Sequence, residues 1–323
     1  MNRRTFLAAT AIGASAAAIQ PAAAEDRQKA ADNAADRDLA GVCDLHLHAA
    51  PDSRARSLTE FDMALEARAA GYRAVLYKSN DFACHDRAFH LRRALPGVEL
   101  FGSIVLNRTT GSTLNPYAVQ KALETTGSLC RAVWMPTLDA RYAVRTYKGP
   151  GDGIAVTDDA DRLLPEVIEI MELCARADII FATGHSAPVE SLAMAQTARD
   201  MGLKKCVITH PNSLIWQMTP QQIERAAGLG AWIEYCYLPR VWGQGTAMPQ
   251  YPRQSLEQMK DYLCVAPEQT FVTTDLGQPG LPRPVEGMRL AIADMRRIGL
   301  SESRIRAMTA DTPAGLVNLG PQA

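Results

Sequence analysis

Four of the six histidines in this chain stand where chemistry can use them. His46 and His48 end an apolar run that finishes Asp44-Leu45-His46-Leu47-His48. Residues two apart on a strand share a face, so both imidazoles can address one cation. Two more runs end on histidine, as Ala182-Thr183-Gly184-His185 and Ile208-Thr209-His210-Pro211. A fourth ends on a carboxylate, Thr273-Thr274-Asp275. His-x-His alone is a weak signal. Four imidazoles and a carboxylate, each closing an apolar run, make the donor set of a divalent-cation site. Such an ion lowers the pKa of water and polarises a carbonyl or phosphoryl oxygen.

Other side chains could serve the same place. Lys78 ends the run before Ser79-Asn80-Asp81. Arg54 and Arg56 follow the first run and could hold a carboxylate or phosphate. His85 could reach inward from the loop after Lys78, whereas His90 reads as a helix-face residue. Asn107, Arg108 and Asn115 are binding candidates in a later loop. Of Glu234 and Tyr235, whichever faces inward could touch substrate.

These residues need a scaffold that brings strand ends together. Eight short apolar runs recur, over residues 41–48, 73–78, 99–107, 131–137, 179–185, 206–210, 231–236 and 270–275. Their length and β-branched content suit strands buried on both faces. Amphipathic stretches at 59–70, 163–176, 188–201, 221–229, 255–263 and 285–298 read as helices, with Gly71, Gly202 and Gly299 placed as C-caps. Eight strand–helix repeats over this length predict a single-domain (β/α)8 TIM barrel, whose sites lie at the C-terminal ends of the strands. An open doubly wound sheet is the alternative, but no GxGxxG follows the first strand. The loop Lys148–Gly153, between the fourth and fifth strands, could cover the mouth.

The order of these motifs resembles the amidohydrolase superfamily of metal-dependent TIM-barrel hydrolases, over about Ala40 to Leu319. Thr312-Pro313-Ala314 sits where that superfamily's closing helix often has Asn-Pro-Ala. His48-Ala49-Ala50-Pro51-Asp52 and Val133-Trp134-Met135-Pro136-Thr137 resemble an uncharacterised bacterial branch of it. The resemblance implies that His46, His48 and Asp275 hold a more buried metal. His185 and His210 would hold a second ion or assist a single one, zinc being the first expectation. Asp275, with His210 beside it in the catalytic set, would take the proton from metal-activated water. The implied reaction is hydrolysis of an amide, ester or lactone bond of a small molecule. A metal-dependent decarboxylase of the same superfamily is the alternative, as is a non-catalytic metal- or solute-binding barrel; the intact Asp275 counts against the latter. Binuclear members often bridge their metals with a carbamylated lysine ending strand four, where this chain has Trp134-Met135-Pro136-Thr137. Lys78 could carry a carbamate from strand two instead, remain an ammonium that binds an anionic substrate or pairs with Asp275, or extend to solvent.

Composition excludes other classes. The 34 Lys and Arg against 35 Asp and Glu leave no basic excess for a phosphate backbone, and 6% aromatic content argues against a base-stacking surface. Neither feature supports nucleic-acid binding. The seven cysteines form no CxxC pair, and Cys43, Cys130, Cys206 and Cys236, in or beside strands, read as small buried hydrophobes. Residues 1–24 resemble a twin-arginine export signal: Arg3-Arg4-Thr5-Phe6-Leu7, a mild apolar run from Ala8 to Ile19, then Ala22-Ala23-Ala24 as a cleavage site. The run is too short and too rich in alanine to make a stable membrane span. Residues 25–39 read as a solvated lead-in and 40–319 as the barrel. A mature chain in the periplasm or secreted is expected, with the export machinery and a small-molecule substrate as partners and a homo-oligomer left open.

Overall fold

A computed structural model describes residues 37–216 and 218–320 of the chain. The expected signal, its cleavage site and positions 25–36 of the lead-in lie outside the described residues. Eight strands run β1 Cys43–Leu47, β2 Ala74–Tyr77, β3 Glu99–Val105, β4 Cys130–Trp134, β5 Ile180–Ala182, β6 Cys206–Ile208, β7 Trp232–Cys236 and β8 Thr270–Thr273. They pair in parallel in that order, with helices between them, as a (β/α)8 barrel. Hydrogen bonds close the seam between the first and last strands. The Asp275 N–H donates to the His46 carbonyl at 2.7 Å, and the His48 N–H to the Leu276 carbonyl at 2.8 Å. Below them, the buried Asp44 carboxylate accepts from the Thr274 N–H at 3.1 Å and from its hydroxyl at 2.5 Å.

The helices begin where the sequence gives them a start. Pro116, Pro165, Pro188, Pro220 and Pro284 each occupy the first turn, where their missing N–H costs nothing. Thr59 with Asp62, Thr219 with Gln222 and Ser255 with Gln258 form reciprocal capping boxes, each worth about 1 kcal/mol. Gly71, Gly202 and Gly299 take the positive φ of a helix end. Residues 141–147, just before the stretch read as a covering loop, form a short helix ending on a left-handed Lys148.

One cluster gathers apolar side chains from around the barrel, including Cys43, Leu45, Leu76, Phe101, Trp134 and Phe271, and is therefore its interior. Ala314, Leu316 and Val317, at the C-terminal end of the chain, plug that interior from below. Leu47, however, belongs to a different cluster, packed against the outer helices with Val75 and Tyr77. The switch has a visible cause. Asp44 pairs with Val75 and Leu47 with Tyr77, so β1 spends three steps where β2 spends two. Strict alternation would have kept Leu45 and Leu47 on one face and both histidines on the other. The bulge reverses the parity, and His46 and His48 turn into the barrel.

Candidate metal centre

At the C-terminal mouth the four histidines and Asp275 converge. Ring centroids of His46 and His48 are 5.6 Å apart, those of His46 and His210 5.9 Å, and those of His185 and His210 4.9 Å. Asp275 Oδ1 stands 3.1 Å from Nε2 of both His46 and His48, and Nε2 of His185 stands 3.1 Å from Nε2 of His210. Ligands on one zinc ion, at bonds of about 2.0–2.1 Å, are separated by roughly 2.9–3.4 Å. The observed separations match the edges of such a coordination polyhedron.

Backbone geometry holds these groups at some cost. His210 and Asp275 take φ values of 30° and 54° at their strand ends, a region that costs a non-glycine residue about 1–3 kcal/mol. Glycine is required beside two of the donors. A Cβ on Gly184, at φ 64°, would lie 2.4 Å from the Met135 carbonyl oxygen. One on Gly277, at φ 128°, would lie 1.8 Å from that of His48.

The residues fit a divalent cation by their unused atoms. His46 Nε2 is buried and lies off the hydrogen-bonding direction of Asp275. Nδ1 of His185 and of His210 are buried without a hydrogen-bond partner among the described residues. Neutral rings that meet only each other leave nitrogen capacity unsatisfied, which burial makes costly. His46 Nδ1 is 3.0 Å from Glu234 Oε1, the carboxylate–imidazole pairing that orients a ligand ring. A second set of donors, His46, Glu234 and Cys236, uses that same Nδ1 and so competes with the pairing.

Electrostatics sort the rings. Burial disfavours a charged His46, but the carboxylates of Asp275 and Glu234 outweigh it and raise the ring to about 9. Burial likewise opposes charge on Asp275, yet His46 and His48 hold it well below the usual carboxylate range. Burial drives His210 down to about 4 and both His48 and His185 well below the ordinary imidazole value. Three neutral imidazoles and one imidazolium therefore surround an ionised carboxylate at neutral pH.

The remaining sequence candidates divide. Lys78 is 3% exposed, which removes the solvent-reaching alternative. Its ammonium donates to Asn80 Oδ1 at 3.2 Å and lies 5.0 Å from the Trp134 ring centroid. Asn107 does not line the cavity; its amide donates to the Asn80 carbonyl at 2.8 Å and to the Thr137 hydroxyl at 2.7 Å, bracing the loop that carries Lys78's partner. Glu234 faces inward but stands behind His46, so it orients that ring instead of touching substrate. Tyr235 points outward to Gln254. His85 does not reach the mouth. It opens the helix His85–Ala94 and pairs through Nε2 with the Thr125 hydroxyl at 3.1 Å, outside the mouth. Arg108 turns to Asp139, and Asn115 caps the helix Pro116–Glu124.

Above the donors opens a cavity of about 200 Å³. Arg54 and Arg56 line it, as does an aromatic wall of Tyr147, Trp216, Trp242 and Tyr251 that sequence reading missed. These aromatics come from three separate connections after strands β4, β6 and β7, Tyr147 at the end of its short helix, with no periodic signal. Only proximity to the histidine runs could have drawn attention to Trp216, whose ring centroid is 4.2 Å from that of His185.

The profile of a family of unknown function, DUF6282, matches residues 41–234, more than half of the chain and all four histidine positions. The chain belongs to this family. Solved structures are similar in fold at low identity. An organophosphorus hydrolase from Deinococcus radiodurans is 15% identical, with 87% of this chain and 94% of that one covered, at a TM-score of 0.55. A mutant of a PTE-like lactonase from the same organism is 14% identical, covering 87% and 97%, at 0.55. An amidohydrolase from Pseudomonas aeruginosa is 10% identical, covering 90% and 98%, at 0.55. A search of curated proteins finds no match.

Proposed function

We propose that this protein is a metal-dependent hydrolase of a small molecule, acting at an amide, ester or lactone bond. The observation that carries the reading is the set of 3.1 Å separations among nitrogen and carboxylate donors at the barrel mouth. The names of the similar folds, a hydrolase of organophosphorus compounds, a lactonase and an amidohydrolase, are consistent with it. A divalent cation held there, zinc first among them, supplies Lewis acidity to the scissile bond and lowers the pKa of water.

His46, His48 and Asp275 would hold the more buried ion, His48 through Nε2 once its Nδ1 no longer accepts from Arg56; His185 and His210 would hold a second or complete the first. Glu234 fixes the His46 ring through Nδ1. Asp275 stays ionised against its burial, so a carboxylate oxygen is ready to accept a proton from the attacking water and return it to the leaving group. The neutral His210 keeps a lone pair free. Trp216 packs against the two paired histidines.

Metal analysis of purified protein, followed by a panel of esters, lactones and amides, tests the reading. A bound divalent ion and turnover that chelation removes and added metal restores are expected. Turnover that survives complete chelation would overturn it. The reading includes export, supported by Arg3-Arg4 and Ala22–Ala24. N-terminal sequencing of protein from the periplasm should begin near Glu25, and native-host protein that stays cytoplasmic and keeps Met1 would defeat that part.

A further inference from the structure

The cavity above the donors is unevenly built. One side is the aromatic wall. Trp242 and Tyr251 stack at 4.6 Å between ring centroids, Tyr147 meets Trp216 edge-on at 5.8 Å, and Tyr147 approaches Tyr251 at 6.4 Å. The other side carries the guanidinium groups of Arg54 and Arg56, the latter paired with Asp52, against Asp275 as the lining carboxylate.

Arg56 is the group that points to a ligand. Its side chain is only 4% exposed, yet it lines the cavity. Nη2 is occupied by Asp52 at 3.0 Å and by His48 Nδ1 at 3.2 Å. Nε is buried without a hydrogen-bond partner among the described residues. A guanidinium presents five planar donors, and leaving some unmatched in a buried setting is costly. Asp52, whose side chain is fully buried, pins the guanidinium and so sets its free donors in place before any ligand arrives.

From these two faces we infer that the substrate is a carboxylate with a planar apolar body, its carboxylate on Arg56 and its ring or conjugated plane against the aromatic wall. The inference rests on the proposed hydrolase reading for the reaction, but the recognition itself needs no metal. A carboxylate oxygen can accept from a guanidinium donor that Asp52 and His48 leave free, and a flat ring can face or edge the indoles and phenols. The space of about 200 Å³ suits one ring-sized molecule at a time.

Calorimetric titration of chelated and of metal-loaded protein with benzoate, benzamide, acetate and phenyl phosphate tests this. Benzoate should bind the chelated protein at least tenfold more tightly than benzamide, which lacks the charge, and than acetate, which lacks the ring. Arg56→Gln should bring benzoate down to the level of benzamide, a loss of roughly tenfold or more. Tyr147→Ala, at a residue 41% exposed on the lip, should weaken benzoate several-fold and leave acetate unchanged. Equal binding of benzoate and benzamide by the wild-type protein overturns the inference whether or not the Arg56 variant folds. Phenyl phosphate binding more tightly than benzoate overturns it in favour of a phosphoryl site. Binding of benzoate only when metal is present, unaffected by Arg56→Gln, also overturns it. If benzoate binds as expected while no divalent ion is found, the hydrolase reading alone fails.

Discussion

His185 and His210 face each other at the barrel mouth with their Nε2 atoms 3.1 Å apart. Between two neutral imidazoles one Nε2–H donates to the other ring's Nε2 lone pair, and burial disfavours a further proton on either ring. A divalent cation uses both lone pairs at once. Zinc added to chelated protein should raise its stability by about 4 kcal/mol at a thousandfold excess over Kd. In a His185→Asn/His210→Asn variant the number of ions bound, or the stabilisation, should fall. Calorimetric melting with and without zinc reads both, and an unchanged shift in the variant would remove the pair from the site.

The proton on His46 sets a pH dependence with a definite sign. Asp275 and Glu234 raise this ring to about 9 against its burial, so metal-free protein holds the proton at neutral pH. A cation must displace it to use His46 Nε2. Metal affinity should therefore climb with pH, by up to about tenfold per unit, and level off near the His46 pKa. Glu234→Gln should lower that pKa, flatten the climb and weaken metal binding at high pH by about 10- to 100-fold. Affinity measured by competition with a chelator across pH 6 to 9.5 provides the comparison.

Asp275 joins both roles, with one oxygen 3.1 Å from two imidazole nitrogens. Asp275→Asn should lower kcat roughly 10²–10⁴-fold, the usual worth of a positioned proton acceptor, while most of the metal stays. Loss of the metal together with activity would make Asp275 chiefly a ligand.

Lys78 is buried, and burial pushes its ammonium below the ordinary lysine range. Neutral amine is the form that takes up carbon dioxide. Activity of stripped protein should recover better with metal plus bicarbonate than with metal alone. Lys78→Ala should lose metal, with partial rescue by short carboxylic acids. A variant that keeps its metal and shows only a raised KM would identify Lys78 as an ammonium that holds the substrate's charge.

Asp44 lies under the site and binds the seam through Thr274. Burial pushes its carboxyl up to about 7, from an ordinary value of 3.8. The folded protein then holds a proton that the unfolded chain has lost between these two pH values. Its contribution to stability falls as pH rises through that window, by an order of about 4 kcal/mol in total. Asp44→Asn should flatten the decline in the melting temperature of metal-free protein from pH 4 to 7, since the amide still accepts from the Thr274 N–H and can donate to its hydroxyl.

Strand ends were legible because a buried parallel strand is a short apolar run, and a donor that closes such a run stands out against it. His185, His210 and Asp275 could be placed that way, and Lys78 likewise. The facing of His46 and His48 was legible only as a shared direction. Cys43-Asp44-Leu45-His46-Leu47-His48 alternates without a flaw, and nothing local announces an extra residue; the bulge comes from pairing with β2 and closure against β8. Glu234 and Tyr235 were undecidable for the same reason, since register is a property of the neighbouring strands. His85 misled because its place after Lys78 resembles a mouth loop, whereas the chain turns there at once into the helix His85–Ala94. The aromatic wall escaped because loops from different parts of the chain meet only once the barrel is closed.

The donors lie on both sides of the junction where the barrel closes on itself. His48 and Asp275 are 227 positions apart, on opposite edges of the sheet, and the hydrogen bonds between those edges are few. A cation gripped by both would act as a clasp on a ring that spans most of the folded chain, removing conformational freedom from the opened form much as a long-range crosslink does. Amide hydrogen exchange at Asp275 and His48, whose N–H groups donate to backbone carbonyls across the seam, would slow first as that clasp engages.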